Sequence, residues 1–348
     1  MVAQYITGLK TVFVRRIATI LLSACVAATL IVLLVEIDPA PLPDLSRIPA
    51  SISSALGGEQ VPVAERCSPR NYTSEVSDRW AAAQQRYSNL TDDKFTIAIQ
   101  AYKQPKELDD VLRILLSDRI PSLYEVVVVW NDLEEEPPGN FKSEHGVLVR
   151  YRTSPVNSRN QKYVPDADFK TQAILLSDAD VYYKPGDLEF VFQTWRSFGQ
   201  QRLTGALARC ASPNDDGRWE YSTCSNDKDQ GVYSMVVTNL CFSQLSFLDF
   251  YSSDDPVMAK VRKYVDDHKG CESIAMNYLA SYLTGHGPLL VRGRDKFVDM
   301  SAQEAAADAK PSSVEMRSRC LNDLSAIFGC MPLINETGHI QRGLGRRR

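Results

Sequence analysis

Two aspartates one residue apart, Asp178 and Asp180, follow the apolar run Ile174-Leu175-Leu176 in the stretch QAILLSDADVYYKPGDL, residues 172–188. A short continuous apolar run is what a parallel sheet buries on both faces, so the carboxylates arrive where that strand should end. In an extended chain, residues i and i+2 project to one side, and the pair can offer two hard oxygen ligands to one divalent cation. A cation held by so few protein ligands keeps positions open for phosphate oxygens, which points to a nucleotide diphosphate. The competing reading is local: aspartate is common in turns because it bonds its own backbone.

The elements that must position this pair alternate between strand and helix. Phe95–Gln100 (FTIAIQ) opens the pattern, and Pro105–Asp118 carries Leu108, Val111, Leu112, Leu115 and Leu116 at helical spacing. Val126–Trp130 (VVVVW) reads as a buried strand running into Asn131 and Asp132, and Val147–Tyr151 as another before the aspartate-bearing strand. The alternation predicts an α/β domain with a largely parallel sheet. Asp187 is expected to cap a helix whose Leu188, Val191, Phe192, Trp195 and Phe198 face the core. Leu203–Ala208 and Val232–Val237 read as strands around a polar loop that Cys210 and Cys224 could staple. Glu272–Leu283 and Leu321–Phe328 read as helices, the latter ended by Gly329. Open α/β sheets bind ligands outside the carboxyl ends of their strands, and Gln100, Asn131, Asp178 and Asp180 all fall at such ends.

The rest of the chain constrains where this domain works. Residues 17–35 (IATILLSACVAATLIVLLV) carry no charge, which is about the length a helix needs to cross a bilayer. Lys10, Arg15 and Arg16 precede the segment and Glu36 and Asp38 follow it. That bias predicts a type II signal anchor at 17–35 with a cytosolic tail at 1–16 and a lumenal remainder. The stretch also exceeds the ~7–15 apolar residues of a cleaved leader. Residues 36–92, rich in Pro, Ser, Ala and Gly, read as a stem, in which Ser77–Leu90 could form a short helix against the domain at 93–348. Three sequons at Asn71, Asn89 and Asn335, and eight cysteines, suit an oxidising lumen. With Cys25 in the anchor, seven cysteines remain, and Cys67 is the candidate for an unpaired or intermolecular thiol. The charge of −4, from 43 acidic and 39 basic residues without a basic stripe, excludes a nucleic-acid footprint. The four histidines lack ligand spacing for zinc. Tyr182, Tyr183 and Trp195 read as packing residues.

The blocks FTIAIQAY, VVVVWND, PVNSRNQKYVP, LLSDADV, CESIAMNYL and RSRCLNDLSAIFGCMPLI occur in this order over roughly Lys94–Glu336. Together they resemble the C-terminal glycosyltransferase domain of the exostosin family, glycosyltransferase family 64, in its short, single-domain form. The resemblance implies a Rossmann-like GT-A fold behind a transmembrane helix and stem. It also implies a retaining, Mn2+-dependent transfer of a hexosamine, GlcNAc or GalNAc, from a UDP-sugar donor to a glycan or glycoprotein acceptor, in the Golgi or endoplasmic reticulum membrane; a homo- or hetero-oligomer is left open.

Carried over by position, Gln100 and Asn131 match the uracil and ribose contacts, and Asn157 and Lys162 match donor contacts, Lys162 standing where the family has arginine. Asp178 and Asp180 match the outer metal aspartates, Glu272 an acidic catalytic residue near the sugar, and Arg317 the arginine on the diphosphate. Cys271 and Cys320 match a family disulfide. The chain departs from the family at Ala179 (aspartate), Ser273 (an acid) and Gln104 (arginine). Those departures leave two alternatives beside an active transferase: a catalytically weak UDP-sugar- or glycan-binding relative, and a structural subunit of a glycosyltransferase complex.

Overall fold

The structure is a computed structural model that describes residues 65–224, 231–295, 297–300 and 311–343. The apolar segment 17–35, Cys25 and the three terminal arginines lie outside the described residues. No helix among those described is long and apolar enough to cross a membrane.

The chain runs through α1 (Ser74–Tyr87), β1 (Thr91–Ala101), α2 (Pro105–Leu115), β2 (Leu123–Trp130), β3 (Phe141–Lys142), β4 (Leu148–Thr153), β5 (Thr171–Asp178) and β6 (Val181–Tyr182). It continues through α3 (Pro185–Thr194), β7 (Thr204–Gly205), β8 (Ala208–Pro213), β9 (Trp219–Ser222), β10 (Met235–Val236) and β11 (Leu240–Gln244). The last elements are α4 (Leu245–Ser252), α5 (Pro256–His268), α6 (Glu272–Thr284), β12 (Leu289–Arg292), β13 (Val298–Asp299), α7 (Pro311–Phe328) and β14 (His339–Gln341). Nine strands form one sheet in the order β14-β12-β7-β11-β5-β1-β2-β4-β3. Its centre, β5-β1-β2-β4, is parallel, and β11 is antiparallel to β5.

The period of two in the central strands feeds two cores. Ile97, Ile99, Val126, Val128 and Leu175 join one, with α2 and α3, while Ala98, Val127, Ile174 and Leu176 join the other, under α1 and α4 to α7. Burial on both faces explains why these strands read as unbroken apolar runs. Helix α2 starts with Pro105 at its first turn and buries Leu108, Val111, Leu112 and Leu115, each worth about 1.5–3 kcal/mol. Helix α4 (LSFLDFYS) buries Leu245, Phe247, Leu248, Phe250 and Tyr251 on all sides, and so shows no amphipathic signature.

Several expectations are corrected. Cys67 is neither free nor intermolecular: it bonds Cys330, alongside the Cys210–Cys224 and Cys271–Cys320 disulfides. Among the described residues the free cysteine is Cys241, in the core, where burial pushes its thiol up to about 12. Asp187 does not cap α3, because Lys184 occupies the cap position. Its carboxylate instead accepts from the backbone of Arg294 at 2.9 Å and Asp295 at 3.0 Å, and from Arg342 Nη1 at 2.9 Å. Burial alone would raise its pKa, but these donors outweigh burial and hold it below the usual carboxylate range. Phe198 faces solvent at 68% exposure, because a π-turn over Trp195–Gly199 breaks the helical period beyond Trp195. Leu203–Ala208 holds the two-residue β7 and the first residue of β8, Val232–Val237 holds the two-residue β10, and α7 begins at Pro311 rather than Leu321.

The segment 65–92, assigned to the stem on composition, packs on the sheet domain. Arg66 bridges to Met331, the disulfide follows at Cys67, and Trp80 of α1 stacks on Phe247 at 5.0 Å. Asn71, Asn89 and Asn335 are all exposed.

Candidate active site

Strand β5 ends on Asp178, level with Gln100 of β1 in the parallel register. On its other side the backbone N–H of Asp178 donates to the carbonyl of Asn239 at 3.0 Å, the rung before β11 begins. Alternation puts Asp178 on the Ile174 and Leu176 face, under α6, and sends Ala179, fully buried, into the opposite apolar core. Alanine at 179 is therefore an apolar packing group in this chain.

A 3-10 turn over Arg159–Tyr163, capped by Ser158, delivers two cations to the same place. Lys162, at 3% side-chain exposure, places Nζ 2.5 Å from Oδ1 of Asp178. Arg159 Nη1 lies 3.1 Å from Oε1 of Glu272, whose carboxylate makes the guanidinium more basic than usual. Glu272 opens α6 one residue after Cys271, and the disulfide from Cys271 to Cys320 ties that helix start to α7. Arg317 lies on α7 three residues before Cys320, and its guanidinium sits 5.4 Å from the Tyr221 ring. Arg209 Nε donates to the Tyr221 hydroxyl at 2.8 Å, so β8 and β9 add a second arginine. Ser273 Oγ accepts from Thr238 N at 3.2 Å and lies 2.9 Å from Thr238 Oγ1, fastening α6 to the turn before β11.

These groups line a cavity of about 450 Å³ beyond the carboxyl end of β5. Four cations (Arg159, Lys162, Arg209, Arg317) and three carboxylates (Asp178, Glu272, Asp299) share the wall, with Lys162 paired to Asp178 and Arg159 to Glu272.

Four of the residues singled out from sequence meet on this wall: Lys162, Asp178, Glu272 and Arg317. Gln100 and Asn131 do not line it. Gln100 Nε2 and Asn131 Nδ2 both donate to the carbonyl of Ser158, at 3.0 and 2.9 Å, and Ser154 Oγ donates to Asn131 Oδ1 at 2.5 Å. They clamp the loop that leads into Arg159 and Lys162. Asn157 lies exposed on that loop. Asp180 is buried and does not line the cavity, its carbonyl accepting from Met300 N at 2.8 Å. Sequence reasoning missed Arg159, Arg209, Tyr221 and Asn239 on the wall. Arg159 shares a turn with Lys162 and was within reach of that reasoning, whereas Arg209 and Tyr221 enter by the pairing of β8 with β9.

Among the described residues no group of three or more His, Cys, Asp or Glu side chains is placed to hold a metal. Of the two carboxylates expected to hold a divalent cation, Asp178 lines the cavity and Asp180 does not. Lys162 engages Oδ1 of Asp178 while that side chain stays 39% exposed at the cavity.

The sheet and cavity define an α/β protein with a cavity of charged residues at the carboxyl edge of parallel strands. The Glycosyl transferase family 64 domain matches residues 95–344, and the chain belongs to that family. It is 29% identical to human Exostosin-2 over 245 residues, covering 69% of this chain and 33% of that protein. It is 28% identical to human Exostosin-like 2 over 262 residues, covering 70% and 75%, respectively. To the Glucosamine inositolphosphorylceramide transferase 1 of Arabidopsis thaliana it is 29% identical over 218 residues, covering 61% and 27%. The chain thus spans about a third of the length of Exostosin-2.

Proposed function

We propose that this chain is a retaining, UDP-sugar-dependent glycosyltransferase of GT-A type that moves a hexosamine to a glycan acceptor. The observation that carries the reading is the convergence of Asp178, Glu272, Arg317 and Lys162 on one cavity in a family 64 domain. The donor diphosphate lies against Arg317 and Arg209, which offset the charge that grows on departing UDP. Asp178 and Asp180 would hold Mn2+, which when bound screens that same charge. Lys162 keeps Asp178 in place from behind. Glu272 stands at the sugar, where its carboxylate can stabilise an oxocarbenium ion or accept the acceptor's hydroxyl proton. Gln100 and Asn131 serve the nucleotide by fixing the 154–158 loop, with Asn157 on its outer side. A relative named for glucosamine supports a hexosamine donor.

The chain acts as a type II protein of the Golgi or endoplasmic reticulum, anchored by 17–35 and N-glycosylated at the exposed Asn71, Asn89 and Asn335. The test is Mn2+-dependent hydrolysis of UDP-GlcNAc and UDP-GalNAc by the purified chain. Turnover lost in Asp180→Asn and in Glu272→Gln supports the reading. UDP binding without any turnover would instead favour the weak, sugar-binding alternative.

A further inference from the structure

Two buried oxygens in the cavity have no hydrogen-bond partner. One is Oε2 of Glu272, whose other oxygen pairs with Arg159, and the second is Oδ1 of Asn239. Asn239 lines the cavity beside Asp178, to which its backbone is bonded, and its side chain bonds to no described residue. An amide oxygen withdrawn from water with nothing to accept from costs about 1–3 kcal/mol, so the free protein would be as stable or more stable without it. A group that lowers stability and faces a cavity is the pattern of a residue kept for a ligand.

The chemistry of that ligand follows from the two atoms. Both are acceptors, so they call for donors: sugar hydroxyls, or the N–H of an acetamido group. Arg209 and Arg317, which also line the cavity, suit phosphate and offer no acceptor.

We propose that Asn239 determines donor specificity, accepting at Oδ1 a hydrogen bond from a hydroxyl or acetamido N–H of the transferred sugar. This rests on the UDP-sugar reading above and adds which residue chooses the sugar. A site built to bond a polar group rejects an analogue lacking it far more strongly than an apolar pocket rejects a change of size.

The test is calorimetric titration of the full chain, wild type against Asn239→Ala and Asn239→Ser, with UDP, UDP-Glc, UDP-Gal, UDP-GlcNAc and UDP-GalNAc. Thermal unfolding of each protein is recorded alongside. The expected result is unchanged affinity for UDP and a loss of about ten- to a hundredfold for the preferred UDP-sugar in Asn239→Ala. The ranking of the four sugars should flatten, and the melting temperature should hold or rise. UDP binding that stays intact while the sugar ranking also stays as in wild type overturns the assignment alone. So does a parallel loss for UDP itself, which would make Asn239 a nucleotide contact, or a fall in melting temperature with the ranking kept. Failure of the wild-type chain to bind UDP overturns the parent reading, and this inference with it.

Discussion

Replacing Asp178 with alanine strips the counter-ion from an ammonium that has almost no access to water. Lys162 is 3% exposed and its Nζ lies 2.5 Å from Asp178, which is itself 39% exposed. The pair is therefore asymmetric. Losing the carboxylate leaves a buried charge unpaired, at a cost of about 3 kcal/mol, the lower end for a broken buried pair. Losing the ammonium in Lys162→Met leaves a carboxylate that water can reach, and costs about 1 kcal/mol. The double variant removes the stranded charge and should sit close to Lys162→Met, giving a coupling of about 2–3 kcal/mol. Chemical denaturation with the disulfides intact measures all four corners, and thermal melts should place Asp178→Ala on the order of 10 °C below wild type. Additive single effects, or a Lys162→Met variant less stable than Asp178→Ala, would refute the view that Lys162 is buried to hold Asp178.

Other outcomes follow from the same geometry. Glu272→Gln should cost under about 1 kcal/mol of stability, since Arg159 is 56% exposed, yet lower turnover about 10²–10⁴-fold; melts and kinetics together check this. Asp187 has its pKa lowered in the folded protein, so its contribution is present above the unfolded carboxylate pKa of about 3.9 and disappears as pH falls through the lower folded value. Stability measured from pH 6 down to 2 should accordingly fall less steeply in Asp187→Asn than in wild type. A Cβ at Gly293 would stand 2.5 Å from the Asp187 carboxyl carbon, so Gly293→Ala should destabilise by about 1–3 kcal/mol in denaturant titration. Cys241 should resist iodoacetamide until the protein is unfolded, as read by mass spectrometry, because it is fully buried with its thiol pushed to about 12.

The strands that carry the site were legible because burial on both faces leaves runs such as VVVVW and AILL, and because Asp178 ends such a run. Helix α2 was legible from its period of apolar residues. What stayed hidden depends on contacts distant in sequence. Cys67 and Cys330 are 263 residues apart, and no local signal pairs them. Helix α4 is buried on all sides and lacks the period that marks a surface helix, while Phe198 is displaced by a single π-turn. Gln100 and Asn131 were found at the correct strand ends, yet their amides go to one loop carbonyl, which only the fold reveals. Asn239 precedes a short strand and reads as an ordinary turn residue; its unpartnered oxygen exists only in three dimensions.

The site's central claim is that Asp178 and its neighbours dock a nucleotide diphosphate together with a divalent cation. Calorimetric titration of UDP into the full chain, with Mn2+ supplied and then with Mn2+ chelated, tests it most directly. The account predicts binding that weakens at least about tenfold on chelation, and the same loss in Asp178→Ala with Mn2+ present. Equal UDP affinity in all three titrations would contradict it.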